Sequence, residues 1–215
     1  MLPVLALLNP QDLLEKGGLL VLSLIIFAES GLFFGFFLPG DSLLFIAGFL
    51  SSSAGGNVLP PLPIVALCAF VAAVAGDQVG YWFGRKVGPA LFSRPNSRLF
   101  KQEHVQRAHA FFERYGAKTI LMARFVPIVR TFAPIVAGVS NMKYRTFTIY
   151  NLIGGALWTV GLTTLGYFLG QIDVVKENIE LAVLAVVALS LTPVAIELIK
   201  HRRASKRAPA EVPTL

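Results

Sequence analysis

Five ionisable residues stand where a charge is costly: Glu29, Asp41, Asp77, Arg124 and Arg130 all fall inside, or at the turns of, long apolar stretches. An arginine stays charged and offers a planar fork of donors suited to phosphate oxygens, so Arg124 and Arg130 are candidate substrate-binding residues for an anionic headgroup. Glu29 and Asp41 are the candidate proton-coupling residues. Burial and a neighbouring arginine pull a carboxylate's proton affinity in opposite directions, so a change of protonation would switch the pairing. A permanent salt-bridge lock is the plainer alternative for the same charges. Asp77 is structural or a relay and ranks behind the other four. His104 and His109 are five apart with no cysteine nearby, so no metal site is expected, and no motif calls for a cofactor.

The elements that must position these residues are membrane elements. The 215-residue chain is 55% hydrophobic and only 14% charged, with a mean hydropathy of +0.67, outside the balance of a soluble domain. Cys68 is the single cysteine, so no disulfide closes within the chain. The formal charge of +7 gathers beside apolar segments, as in loops held at an anionic membrane face, which makes nucleic acid the weaker reading of the basic balance. A cleaved signal peptide fits poorly, because the N-terminus lacks a basic region and the first long apolar stretch carries Glu29.

Apolar stretches run over 17–38, 42–59, 62–84, 119–139, 146–170 and 179–199, against a need for about 20 residues per spanning helix. Three read as ordinary spans: 62–84, 146–170 and 179–199. The first ends at Pro39-Gly40-Asp41, and the limb after it is apolar only to about Ala54. The stretch 119–139 holds Arg124, Pro127, Arg130 and Pro134, two breakers with two arginines that would each cost about 2.5–3.5 kcal/mol at mid-bilayer. Broken backbone at that depth survives only under protein cover or beside a wet cavity, which predicts two re-entrant hairpins. On one straight helix Glu29 and Asp41 would point roughly 120° apart, as would Arg124 and Arg130. The breaks at Pro39-Gly40 and at Pro127 and Pro134 release them, so that facing hairpins can set acids against arginines.

Charge fixes the orientation. Eight basic residues against Glu103 and Glu113 between Arg85 and Lys118 make that connection cytoplasmic, and Lys200 to Arg207 place the C-terminus on the same side. Val105, Ala108, Phe111, Phe112 and Tyr115 recur at helical spacing there, predicting an interfacial amphipathic helix.

The chain also repeats itself. Glu29 precedes Pro39 by ten residues and Arg124 precedes Pro134 by ten; Ala47-Gly48 and Ala137-Gly138 follow, and then Gly80-Tyr81-Trp82-Phe83-Gly84 and Gly166-Tyr167-Phe168-Leu169-Gly170. Each half is a hairpin and a span, so the second half is inverted relative to the first. The expected fold is an all-α polytopic membrane protein: an N-terminal segment 1–16, repeat 1 at 17–88, a linker 89–117, repeat 2 at 118–172, an added C-terminal transmembrane helix at 173–200 and a basic tail 201–215. Gly76, Gly80, Gly84 and Gly88 form a stripe for close helix approach within the chain. Asn151 reads as a polar bridge and Trp158 as a packing or interface aromatic.

Phe27-Ala28-Glu29, Phe37-Leu38-Pro39-Gly40-Asp41-Ser42, Gly76-Asp77 with Tyr81 and Gly84-Arg85, Arg124-Phe125-Val126-Pro127-Ile128-Val129-Arg130 and Ala137-Gly138 together resemble the DedA (SNARE-associated, VTT-domain) family over about residues 17–172. The resemblance implies a bacterial inner-membrane protein that moves lipids between leaflets, associated with undecaprenyl phosphate recycling, the proton motive force and membrane-stress phenotypes. It implies further that Glu29, Asp41, Arg124 and Arg130 are required. The expected activity is a proton-linked lipid-phosphate flippase, with lipid phosphate, protons and membrane lipids as partners and an oligomer possible. A proton-coupled cation or drug antiporter, a phospholipid scramblase and a structural scaffold stand as alternatives. An enzyme such as an intramembrane phosphatase lacks a nucleophile or metal set in the sequence.

Overall fold

Two of the three stretches expected to span the membrane become the two long helices among the described residues. A computed structural model describes residues 10–32, 35, 38–92, 116, 118–124, 126–179, 181–185 and 188. Every regular element among them is helical: α1 Pro10–Gly31, α2 Gly40–Leu50, α3 Leu62–Phe92, α4 Lys118–Ala123, α5 Pro127–Val139, α6 Tyr144–Leu169 and α7 Asp173–Glu177. The amphipathic helix expected over 105–115 and the basic tail 201–215 lie outside the described residues, as does most of the expected span 179–199.

Leu62–Val87 within α3 and Tyr144–Leu169 of α6 have mean hydropathies of 1.9 and 1.5. At 1.5 Å per residue each rises about 39 Å, enough for a hydrocarbon layer of about 30 Å. With 11 and 13 residues, α2 and α5 rise only about 16 and 20 Å and cannot reach across it. The exterior is apolar: Leu67 and Val71 on α3 and Leu157 and Phe168 on α6 are all more than half exposed, whereas Glu29, Asp77 and Arg124 are buried. Such an inside-out distribution suits lipid and not water.

Local chemistry sets the breaks. Pro39 supplies the N-cap of α2, and its carbonyl accepts from the Leu43 amide at 2.9 Å. Val126 is extended at φ −118° and ψ 107°, as a residue before proline must be, and Pro127 then opens α5 at a position where its missing N–H costs nothing. Pro134 lies inside α5 and removes the helical donor to the Arg130 carbonyl. Gly18, at φ 54° and ψ −147°, kinks α1.

The helices interleave. α3 is clasped by α1 and α5, α6 is clasped by α2 and α4, and α3 also packs on α6. Glycines set the closest approaches: a Cβ on Gly48 of α2 would lie 2.9 Å from the Tyr167 amide of α6, and one on Gly138 of α5 would lie 2.8 Å from the Arg85 amide of α3. Conversely, a Cβ on Gly166 would lie 3.0 Å from the Phe45 Cα, and one on Gly84 3.0 Å from the Ile135 Cα. Within the expected stripe, Gly76 meets α1 and Gly80 meets Pro134. Tyr81 on α3 donates to the Met142 carbonyl at 2.5 Å and accepts from Arg85 Nη1 at 2.7 Å, tying α3 to the turn between α5 and α6.

Candidate functional site

All five ionisable residues singled out by the sequence are buried, none more than 8% exposed. They form two groups. In the first, Arg130 in the opening turn of α5 binds Asp41 Oδ1 through Nη1 at 2.6 Å and Glu29 Oε1 through Nη2. The α5 dipole disfavours a cation at that end of the helix, and the two carboxylates outweigh it. The Glu29 carboxylate lies against Gly40, where any Cβ would overlap it. Gly40 thus gives the acid access to the start of α2, whose dipole favours a negative charge.

In the second group, Arg124 follows the end of α4 and donates through Nη1 to Asp77 Oδ2 of α3 and to Asn151 Oδ1 of α6, the latter at 2.9 Å. Its Nε and Nη2 are buried with no hydrogen-bond partner among the described residues. Asp77, ranked behind the other acids on sequence, is therefore the direct partner of Arg124, while Glu29 and Asp41 both face Arg130. Asn151 is the polar bridge that its place in an apolar helix suggested. Of the supporting residues, Pro39 and Gly40 start α2, Pro127 starts α5, and Pro134 sits one turn after Arg130.

Trp158, which the sequence offers only as a packing or interface aromatic, joins the two groups. Its Nε1–H donates to Asp41 Oδ1 at 2.8 Å, and its ring centroid is 4.4 Å from the Arg130 Cζ and 5.4 Å from the Arg124 Cζ. Asn151 and Trp158 are seven residues apart, about two helical turns, so α6 presents both on one face. A buried tryptophan N–H needs a partner, and that requirement, with the two-turn spacing from Asn151, was the available signal.

An apolar cavity of about 490 Å³ lies at the C-terminal end of α1, lined by Gly31, Leu32, Leu38, Val79, Phe83 and Ile135. Among the described residues no group of three or more His, Cys, Asp or Glu is placed to hold a metal ion.

An apolar exterior around buried ion pairs, with two helices long enough to cross a bilayer, defines a helical membrane protein. Residues 38–168 match the VTT domain. The chain is 47% identical to Protein DedA of Escherichia coli K12 over 188 residues, 87% of this chain and 85% of that one. It is 47% identical to an uncharacterized membrane protein of Mycobacterium tuberculosis H37Rv over 192 residues, 88% and 82% of the two chains. It is 40% identical to the inner membrane protein YqjA of Escherichia coli K12 over 154 residues, 72% and 68%. The chain belongs to the DedA family of VTT-domain membrane proteins. No solved structure matches it.

Proposed function

We propose that this protein is a proton-motive-force-linked transporter that flips a lipid phosphate, undecaprenyl phosphate or a close chemical relative, across the bacterial inner membrane. One observation carries the reading. Three buried carboxylates stand against two guanidinium groups, an excess of one negative charge in a place where net charge is expensive. A proton taken up by the group cancels that excess. A phosphate arriving on an arginine restores it unless a further carboxylate is protonated, so headgroup entry and proton uptake are coupled by charge balance alone.

Further features fit this use. The apolar cavity begins two residues beyond Glu29, at Gly31, and is lined also by Ile135, five residues beyond Arg130; it offers the lipid tail a path beside the charged site. Gly48 on α6 and Gly138 on α3 occupy matching places, as do Phe45 at Gly166 and Ile135 at Gly84. These paired contacts, with α2 and α5 too short to span, support two re-entrant hairpins in an inverted repeat with the site at the bilayer midplane. The basic tail supports a cytoplasmic C-terminus.

The test is reconstitution in vesicles with a labelled prenyl phosphate, with and without an imposed proton gradient. Gradient-dependent translocation that disappears in Arg130→Ala, compared at equal amounts of folded protein, is the expected result; translocation that survives it excludes the reading. Glu29→Gln transporting fully at every pH would exclude coupling through that acid.

A further inference from the structure

We propose that Trp158 is a positioning residue that holds Arg130 and Asp41 in register with each other and sets Arg124 beside them, so that the two arginines act on one headgroup. The inference rests on the transport reading above and assigns a role to a residue outside its charged set.

The geometry separates two functions of one side chain. The indole N–H and Arg130 Nη1 both donate to the same oxygen, Asp41 Oδ1, at 2.8 and 2.6 Å. Two donors on one oxygen orient the carboxylate and leave the guanidinium a single favourable direction of approach. The ring, meanwhile, lies within about 6 Å of both guanidinium carbons, the range in which the π quadrupole attracts a cation. When Asp41 or Glu29 binds a proton, Arg130 loses part of its attraction to the acids and keeps its attraction to the ring. The arginine therefore stays in the site with donors turned toward an incoming anion. Trp158 is only 5% exposed and packs in the same apolar cluster as α2, so the indole itself has little room to follow a moving partner. Gly155, one turn earlier on α6, has its Cα side close to Arg124 Nη2, 3.6 Å from an added Cβ. The glycine lets the Arg124 guanidinium lie close against α6 beside the ring.

The two functions are separable by substitution. Trp158→Phe retains a ring face and deletes the N–H; Trp158→Ala deletes both. In vesicles loaded with a prenyl phosphate, Trp158→Phe is expected to lower the maximal rate about tenfold, the scale of one hydrogen bond to a charged group, at an unchanged half-saturating concentration. Trp158→Ala is expected to raise the half-saturating concentration as well. Wild-type constants in both variants, or a loss that only follows the amount of folded protein, overturns the proposal. Where Trp158→Ala does not fold, Trp158→Phe decides.

A second readout does not depend on transport. The chain has two tryptophans, and Trp82 lies elsewhere, against Arg85 and Tyr144, so Trp82→Phe leaves Trp158 as the sole reporter. In detergent, its emission is expected to change on addition of farnesyl phosphate and not of farnesol, and the change is expected to vanish in Arg130→Lys. Equal responses to phosphate and alcohol, or no response, overturn the proposal. If the wild-type protein moves no lipid phosphate, the transport reading fails and the emission result alone decides the role of Trp158.

Discussion

Arg130 and Arg124 are six residues apart on either side of the break between α4 and α5, yet they are held very differently. Arg130 is shared between two carboxylates from two elements, α1 and α2. Arg124 has one carboxylate, an amide oxygen and two nitrogens without a partner among the described residues. The first ties α1 and α2 to α5, and the second keeps more donors unengaged. Both terminal nitrogens of Arg130 are engaged and only its Nε has no partner among the described residues, so in the transport proposed above Arg130 must release an acid to take an anion through its fork, whereas Nη2 of Arg124 needs no such release. On the proposed reading, one site thus divides holding from receiving.

Substitutions can break that comparison. The largest effect is expected from Arg130→Ala, which strands two buried carboxylates and should cost about 3–5 kcal/mol of stability, read by thermal unfolding in detergent. Arg124→Ala strands one and should cost clearly less; an equal or larger loss would reverse the division of roles. Next comes the double variant Arg124→Gln with Asp77→Asn, which removes both charges of the second pair. It should recover most of what Arg124→Gln alone loses, with a coupling of about 1–3 kcal/mol in a double-mutant cycle. A coupling near zero would mean that Asp77 is not the partner that matters. Gly40→Ala should act through geometry, pushing Glu29 off Arg130 at about 1–3 kcal/mol, with transport falling more than stability. The smallest effect is expected from Val79→Trp, which narrows the apolar cavity without touching a charge. Stability should stay within about 1 kcal/mol, while the half-saturating concentration rises for a long-chain prenyl phosphate and not for a short one.

Much of the scaffold was legible in the chain. Hydropathy placed two long helices at 62–84 and 146–170, within a few residues of Leu62–Val87 and Tyr144–Leu169, and the prolines marked where α2 and α5 begin. That acids and arginines would meet followed from the cost of leaving either alone in an apolar interior. Which acid meets which arginine did not follow, because Asp77 on α3 and Arg124 at the end of α4 are brought together by the packing of both α3 and α4 on α6, and no spacing encodes that. Trp158 was hidden by its own composition, being apolar by any scale and polar at one atom. The proposed internal repeat takes one register from the sequence motifs and another from the helix contacts. Pro39 precedes α2 while Pro134 lies within α5, and the contacts align Gly84 with Gly166, one helical turn from the match of Gly80 to Gly166. Small residues four apart lie on the same helix face, so a one-turn slip leaves such a pattern almost unchanged.

The interleaving of the helices also orders the protein's biogenesis. α2 is buried along its whole length, and much of what buries it is α6, whose contacts at Thr163 and Tyr167 are encoded more than a hundred residues later. At ribosomal speeds of about 5–20 residues per second, α2 waits on the order of ten seconds for its seat. Throughout that interval a short segment carrying Asp41 must be sheltered at the site of insertion, and the arrival of α6 closes the molecule.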